Sequence, residues 1–190
     1  GVIKMRLGAH MSVTGGKYMA LERGKELGCQ TIQVFIRSVR SWAAKPLIKS
    51  DIDDFIKIKE ELKEDIWPIV SHNSYLINLA SIDKEKLEKS YNAMLDELIK
   101  VEQLGIELEN MHPGVIPMSD KNEISKKEAL IQIANQLNKL IGETKGSKVI
   151  VLLETTAGQG KGLGNKFHHL STIIDKIKAL FGLMFLINQG

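Results

Sequence analysis

Five short apolar, β-branched runs alternate along this chain with longer stretches of helical spacing, and that alternation restricts the fold more than any other feature. Residues 5–10, 31–36, 66–70, 106–111 and 148–153 read as strands. Residues 15–27, 50–63, 83–104, 125–141 and 166–180 carry apolar side chains at three- and four-residue intervals and read as helices. The third is the clearest, because Leu87, Tyr91, Met94, Leu95, Leu98 and Val101 form one apolar stripe. Leu27-Gly28 and Leu104-Gly105 put glycine where a helix C-cap belongs, just ahead of the next strand. Strand followed by helix, five times over, implies parallel pairing with right-handed crossovers, so the class is α/β.

Two architectures satisfy that pattern: an open doubly wound sheet, or part of a (β/α)8 barrel, whose full form takes about 250 residues. At 190 residues, length alone favours the open sheet. No linker, low-complexity tract or repeat divides the chain, so residues 1–190 are expected to form a single domain. A hydrophobic share of 43% against 26% charged residues excludes disorder as the main state. The formal charge of +3 permits an anionic partner without requiring one, and the single Cys29 excludes both a disulfide framework and a Cys-rich zinc site. No run approaches the ~20 apolar residues of a membrane span, and the start lacks a signal-peptide core, so a soluble, non-secreted protein is expected. The first residue is Gly1 rather than Met, which suggests a trimmed or partial chain.

The polar residues that end the strands carry the chemistry. His10 ends the first strand, His72 and His112 follow the third and fourth, and Glu154 follows the fifth. In parallel α/β folds these ends share one rim, where such folds place their sites. His72, His112 and Glu154 make a set of two histidines and one carboxylate, the donor type of hydrolytic zinc. A carboxylate directly after Val149-Ile150-Val151-Leu152-Leu153 is costly unless paired or metal-bound, the competing reading being a salt bridge to a lysine. Arg37 to Trp42, and His72 to Leu79, put arginine and aromatic residues on loops at the same rim, which suits gripping a nucleic-acid backbone. From residue types alone, Trp42, Tyr75 and Leu76 cap the core instead. The glycine run 158–164 has neither Walker spacing nor a complete dinucleotide fingerprint. His168 and His169 are adjacent in a helix, so they are not expected to act as a joint ligand pair.

Taken in order, Gly8-Ala9-His10-Met11-Ser12, Gly15-Gly16, Phe35 to Trp42, His72-Asn73-Ser74-Tyr75-Leu76-Ile77-Asn78-Leu79, Glu102-Gln103-Leu104-Gly105, His112-Pro113-Gly114 and Glu154-Thr155-Thr156-Ala157-Gly158-Gln159-Gly160 resemble the endonuclease IV family of apurinic/apyrimidinic endonucleases. The resemblance runs from about residue 5 to about residue 178. It implies an incomplete (β/α)8 TIM barrel of about five to six βα units rather than an open sheet. It also implies a zinc-dependent hydrolase that cuts the phosphodiester 5′ to abasic sites in double-stranded DNA and trims blocked 3′ ends. The family's site holds three zinc ions. His72 and His112 match ligands of one zinc, Glu154 matches the carboxylate bridging it to a second, and Arg40, Tyr75 and Leu76 match residues that enter the minor groove.

After about residue 178 the likeness stops, and residues 179–190 stand in place of the sixth strand and its Asp-Thr-Cys-His motif. Only one zinc site then keeps its full protein ligand set. A sixth strand is expected only if residues 183–187 pair as one. The resemblance implies a monomer, acting in the cytoplasm if bacterial and in the nucleus or mitochondrion if eukaryotic. The rival readings are an inactive fragment that retains zinc or DNA binding, and a sugar-phosphate isomerase-like metal barrel.

Overall fold

The computed structural model describes residues 5–116, 124–157, 161–178 and 183–186. The elements in chain order are β1 (Gly8–His10), α1 (Met19–Glu26), β2 (Thr31–Val34), α2 (Lys49–Glu61), β3 (Ile69–His72), α3 (Lys84–Gln103) and β4 (Leu108–Met111). They continue with β5 (Gly114–Val115), α4 (Lys126–Glu143), β6 (Ile150–Glu154), β7 (Gly162–Leu163), α5 (Phe167–Ile174) and β8 (Leu183–Leu186). Six strands pair in parallel in the order β1-β2-β3-β4-β6-β8. Every strand of this sheet lies beside its predecessor, with no reversal. A doubly wound sheet reverses its order at a switch point. The open doubly wound sheet favoured by length is thus overturned, and the succession is that of part of a (β/α)8 barrel.

Several boundaries differ from the periodicity, each for a local reason. The third strand begins at Ile69 rather than Ile66, because the Ile66 N–H still caps α2 at Leu62 O and Pro68 has no N–H to give a ladder. It then runs on to take in His72. The fourth starts at Leu108 because the Ile106 N–H closes the C-terminal turn of α3 on Val101 O. The fifth is displaced forward and includes Glu154 itself. The last helix stops at Ile174, and residues 179–180 of its expected span lie outside the described residues. The expected sixth strand pairs with β6 from Val151↔Leu183 to Glu154↔Leu186, while residue 187 lies outside the description. The two-residue strands β5 and β7 pair antiparallel and were not foreseen, since two residues have no period to detect.

Helix ends follow their sequence signals. The Asp83 carboxylate accepts from the Glu85 and Lys86 N–H groups to start α3, and Ser125 with Glu128 forms a capping box on α4. Gly28 and Gly105 take φ of +71° and +63° just past α1 and α3, as expected of C-cap glycines. The apolar faces bury in two groups. Tyr91, Met94 and Leu98 of α3 pack with Ile133, Leu137 and Leu140 of α4 over Met111, Val151 and Leu153. Leu21 of α1 and Phe55 of α2 pack with Ile32, Val34 and Ile69, joined by Val101 and Leu104. α3 therefore belongs to both groups and braces the sheet from behind. Among the described residues, no helix is long and apolar enough to cross a membrane.

Candidate metal centre

Strand register explains why residues far apart in sequence converge. His72 lies opposite Asn110, and Asn110 lies opposite Leu152. Side chains alternate along a strand, so His112, two beyond Asn110, and Glu154, two beyond Leu152, project to the same face at the same rim. One donor atom each from His72, His112 and Glu154 lies within 4.8 Å of the others. These residues are the only metal-capable group of this kind among the described residues, and they are the three read from the sequence.

The His72 ring is buried, and its Nδ1 lies 2.8 Å from the Asn73 carbonyl oxygen. A carbonyl only accepts, so Nδ1 carries the hydrogen and Nε2 keeps its lone pair in the neutral ring. That Nε2 faces Glu154 Oε2 at 3.2 Å, and His112 Nε2 faces the same oxygen at 3.6 Å. Three lone-pair atoms this close repel unless a proton or a cation lies among them. A backbone-oriented imidazole opposite a carboxylate is the arrangement that metal sites use, so the residues fit a zinc-type ion. Burial alone pushes the Glu154 carboxyl up, but the facing His72 ring, the Asn110 amide that donates to it and the nearby His112 ring hold it below the ordinary carboxylate range. Burial lowers the His112 imidazole, with Glu154 opposing and His72 reinforcing the shift. Both shifts favour the ligating protonation states.

His10 shares the face but not the donor group. Its ring packs on Phe35 with centroids 4.2 Å apart, and its Nδ1 lies 3.3 Å from Gln33 Nε2. Phe35 in turn meets His72 and Tyr75 edge-on, each at 5.4 Å. Tyr75 is 60% exposed, and its ring lies 5.4 Å from that of His72 and 5.6 Å from that of His112. Trp42 is 40% exposed, Arg40 is exposed and Leu76 is half-buried, so the core-capping reading fails for Tyr75 and Trp42. Beside His112, Tyr75, Asn78, Gly114 and Thr156 line a cavity of about 260 Å³. Of the glycine run, residues 158–160 lie outside the description, and Gly162 belongs to β7. The rings of His168 and His169 meet edge-on at 4.6 Å, and buried His169 accepts the Gly164 N–H through Nδ1 at 3.2 Å.

Sequence reading missed Asn110, although strand alternation from His112 places it on the same face. It also missed two carboxyls on the opposite face, Glu97 and Glu109, both fully buried. Burial pushes Glu97 up to about 7, with the Ser74 N–H and the Arg37 charge opposing it. Burial and the Glu97 charge push Glu109 well above the usual range. A raised carboxyl resists ionising in the folded protein, so stability is fully present below about pH 4.5 and is lost as pH rises toward 7. Relative to Glu97→Gln, the wild type is expected to lose on the order of 2–3 kcal/mol across that window. Urea unfolding at both ends of the window checks it, and parallel losses in the two proteins would refute it.

A sequentially ordered parallel sheet with two histidines and a carboxylate gathered on one strand-end rim is the pattern of a partial (β/α)8 barrel with a candidate metal site. Residues 21–187 match the xylose isomerase-like TIM barrel family, and the chain belongs to it. Within that class it is 40% identical over 173 residues to probable endonuclease 4 of Phocaeicola vulgatus, covering 91% of this chain and 60% of that protein. It is 38% identical over 172 residues to the apurinic-apyrimidinic endonuclease of Caenorhabditis elegans, covering 90% of this chain and 42% of that protein. The crystal structure of endonuclease IV from Thermus thermophilus superposes with a TM-score of 0.79 at 28% identity, covering 96% of this chain and 62% of that one. The chain thus spans less than two thirds of the relatives it matches, and the resemblance read from the motifs is borne out.

Proposed function

We propose that this chain acts as a zinc-dependent endonuclease that hydrolyses the phosphodiester 5′ to abasic sites in double-stranded DNA. One observation carries the reading: the exposed Tyr75 ring rests against the rings of both histidines of the His72, His112, Glu154 donor group. A wedge in that place puts a displaced backbone beside the metal. Arg40 on the neighbouring loop supplies charge for phosphate contact, and Leu76 supplies apolar bulk against an unstacked step. Such a surface reads deformability, which an abasic site supplies, rather than sequence. Zinc held by His72, His112 and Glu154 supplies a Lewis acid that neutralises phosphate charge and acidifies water. Blocked 3′ ends present the same backbone chemistry and are the second substrate class.

The single donor group among the described residues favours a second reading, in which the chain binds zinc and damaged DNA without cleaving. Cleavage of an abasic-analogue duplex by zinc-loaded protein separates the two. Under both readings, His112→Ala is expected to lower zinc stoichiometry. Tyr75→Ala is expected to weaken abasic-duplex binding by roughly tenfold, the range of a lost base–aromatic contact, with zinc unchanged. Elemental analysis and fluorescence anisotropy measure the two effects, and identical behaviour of both variants would sink the division of roles.

A further inference from the structure

Two adjacent residues of α3, the half-exposed Asp96 and the buried Glu97, each hold one of the rim loops. Asp96 pairs with the buried Arg37 and with Lys100, the latter at 2.7 Å. The second Arg37 amino group, Nη2, donates to the Trp42 carbonyl at 2.9 Å. One guanidinium therefore closes the loop from 37 to 42, with Arg40 on it, and ties that loop to α3. Glu97 Oε2 accepts the backbone N–H of Ser74 at 3.3 Å, one residue before Tyr75. The two loops are also joined directly, since Ser74 Oγ donates to the Ser38 carbonyl at 3.2 Å.

Burying Arg37 and Glu97 is costly, and an apolar pair of the same volume would hold α3 to the sheet at least as well. Only directional polar groups can fix where a loop backbone lies. Arg37 suits this because its planar fork reaches a carboxylate and a carbonyl in different directions, which a lysine cannot do.

We propose that Asp96 and Glu97 are positioning residues: acting through Arg37 and through the Ser74 N–H, they set the spacing between the Arg40 loop and the Tyr75-Leu76 loop. That spacing fixes how much duplex backbone the rim can span. The inference rests on the DNA-binding reading above, and neither carboxylate belongs to the metal donor group.

The test uses the whole chain and compares Glu97→Ala, which removes the acceptor, with Glu97→Gln, which keeps it, and with Arg37→Lys. Binding is read by anisotropy on a duplex with one tetrahydrofuran abasic analogue, zinc binding by chelator competition, and the Ser74 amide by hydrogen exchange. Glu97→Ala and Arg37→Lys are expected to bind the abasic duplex roughly tenfold more weakly, since small misplacements of contact groups cost that much or more. Zinc affinity should be unchanged, and Glu97→Gln should restore binding. Wild-type binding by Glu97→Ala overturns the proposal, as does zinc affinity falling in step with DNA affinity. If the wild type shows no preference for the abasic duplex, the DNA reading falls instead. The clamp is then judged on the Ser74 amide alone: faster exchange in Glu97→Ala than in Glu97→Gln upholds it, and equal rates overturn it.

Discussion

Glu154→Gln is expected to lower zinc affinity by at least about 100-fold while leaving the metal-free fold within about 1 kcal/mol of wild type. Glutamine keeps the size of the side chain and an oxygen that accepts from Asn110, so the hydrogen bond to β4 survives. What it loses is the negative charge that faces both imidazoles at 3.2 and 3.6 Å. Two neutral histidines and a neutral amide oxygen provide no charge balance for a divalent ion. Glu154→Ala would also weaken zinc, but it strands the buried Asn110 amide, so its lower stability confounds the comparison. Chelator competition on both variants, with thermal melts of the metal-free proteins, separates ligand loss from unfolding. Unchanged zinc affinity in Glu154→Gln would remove the donor group from consideration as a metal site.

The donor group was legible because three strand ends on one rim carried metal-capable residues, and a carboxylate after an apolar strand is costly to bury without a partner. Glu154 after five apolar residues is the plainest case, and the structure seats it against two histidines. The α/β class followed from alternation alone. The barrel did not, because periodicity gives the order of elements along the chain and not their order in the sheet; the motif resemblance supplied that. Strand boundaries slipped where backbone hydrogen bonding overrode hydrophobicity, as at Pro68 and Ile106. Glu97 was hidden by its helix. A glutamate between Asp96 and Leu98 reads as a solvated face, and only the packing of α3 behind the sheet shows it to be fully buried against the Ser74 loop. The β5–β7 pair was hidden by its shortness, although the glycines that build it were visible.

The glycine just past β7 carries the second large effect. Gly164→Ala is expected to cost about 3 kcal/mol and to lower the melting temperature by roughly 6–12 °C. Gly164 has φ of +96°, a conformation that L side chains rarely adopt. A Cβ there would sit 2.8 Å from Pro113 Cγ and 3.2 Å from the Glu154 carbonyl oxygen. Neither neighbour can step aside, since one is a closed ring and the other is strand backbone. The residue also donates its N–H to buried His169 and accepts the Thr156 N–H, so relieving the clash disturbs both contacts. Pro113 follows His112, and the carbonyl belongs to Glu154, so the strain lands on two of the three residues proposed to hold zinc. Zinc affinity should therefore fall together with stability, by roughly tenfold if the donors move by a few tenths of an ångström. Gly142→Ala is the matched control, because its Cβ would meet nothing within 4 Å. Inside α4 that change should stabilise by about 0.5–1 kcal/mol through helix propensity. Opposite signs in thermal melts, with zinc weakened only by Gly164→Ala, would show that the turn after β7 sets the donor positions; equal effects would reduce Gly164 to an ordinary turn glycine.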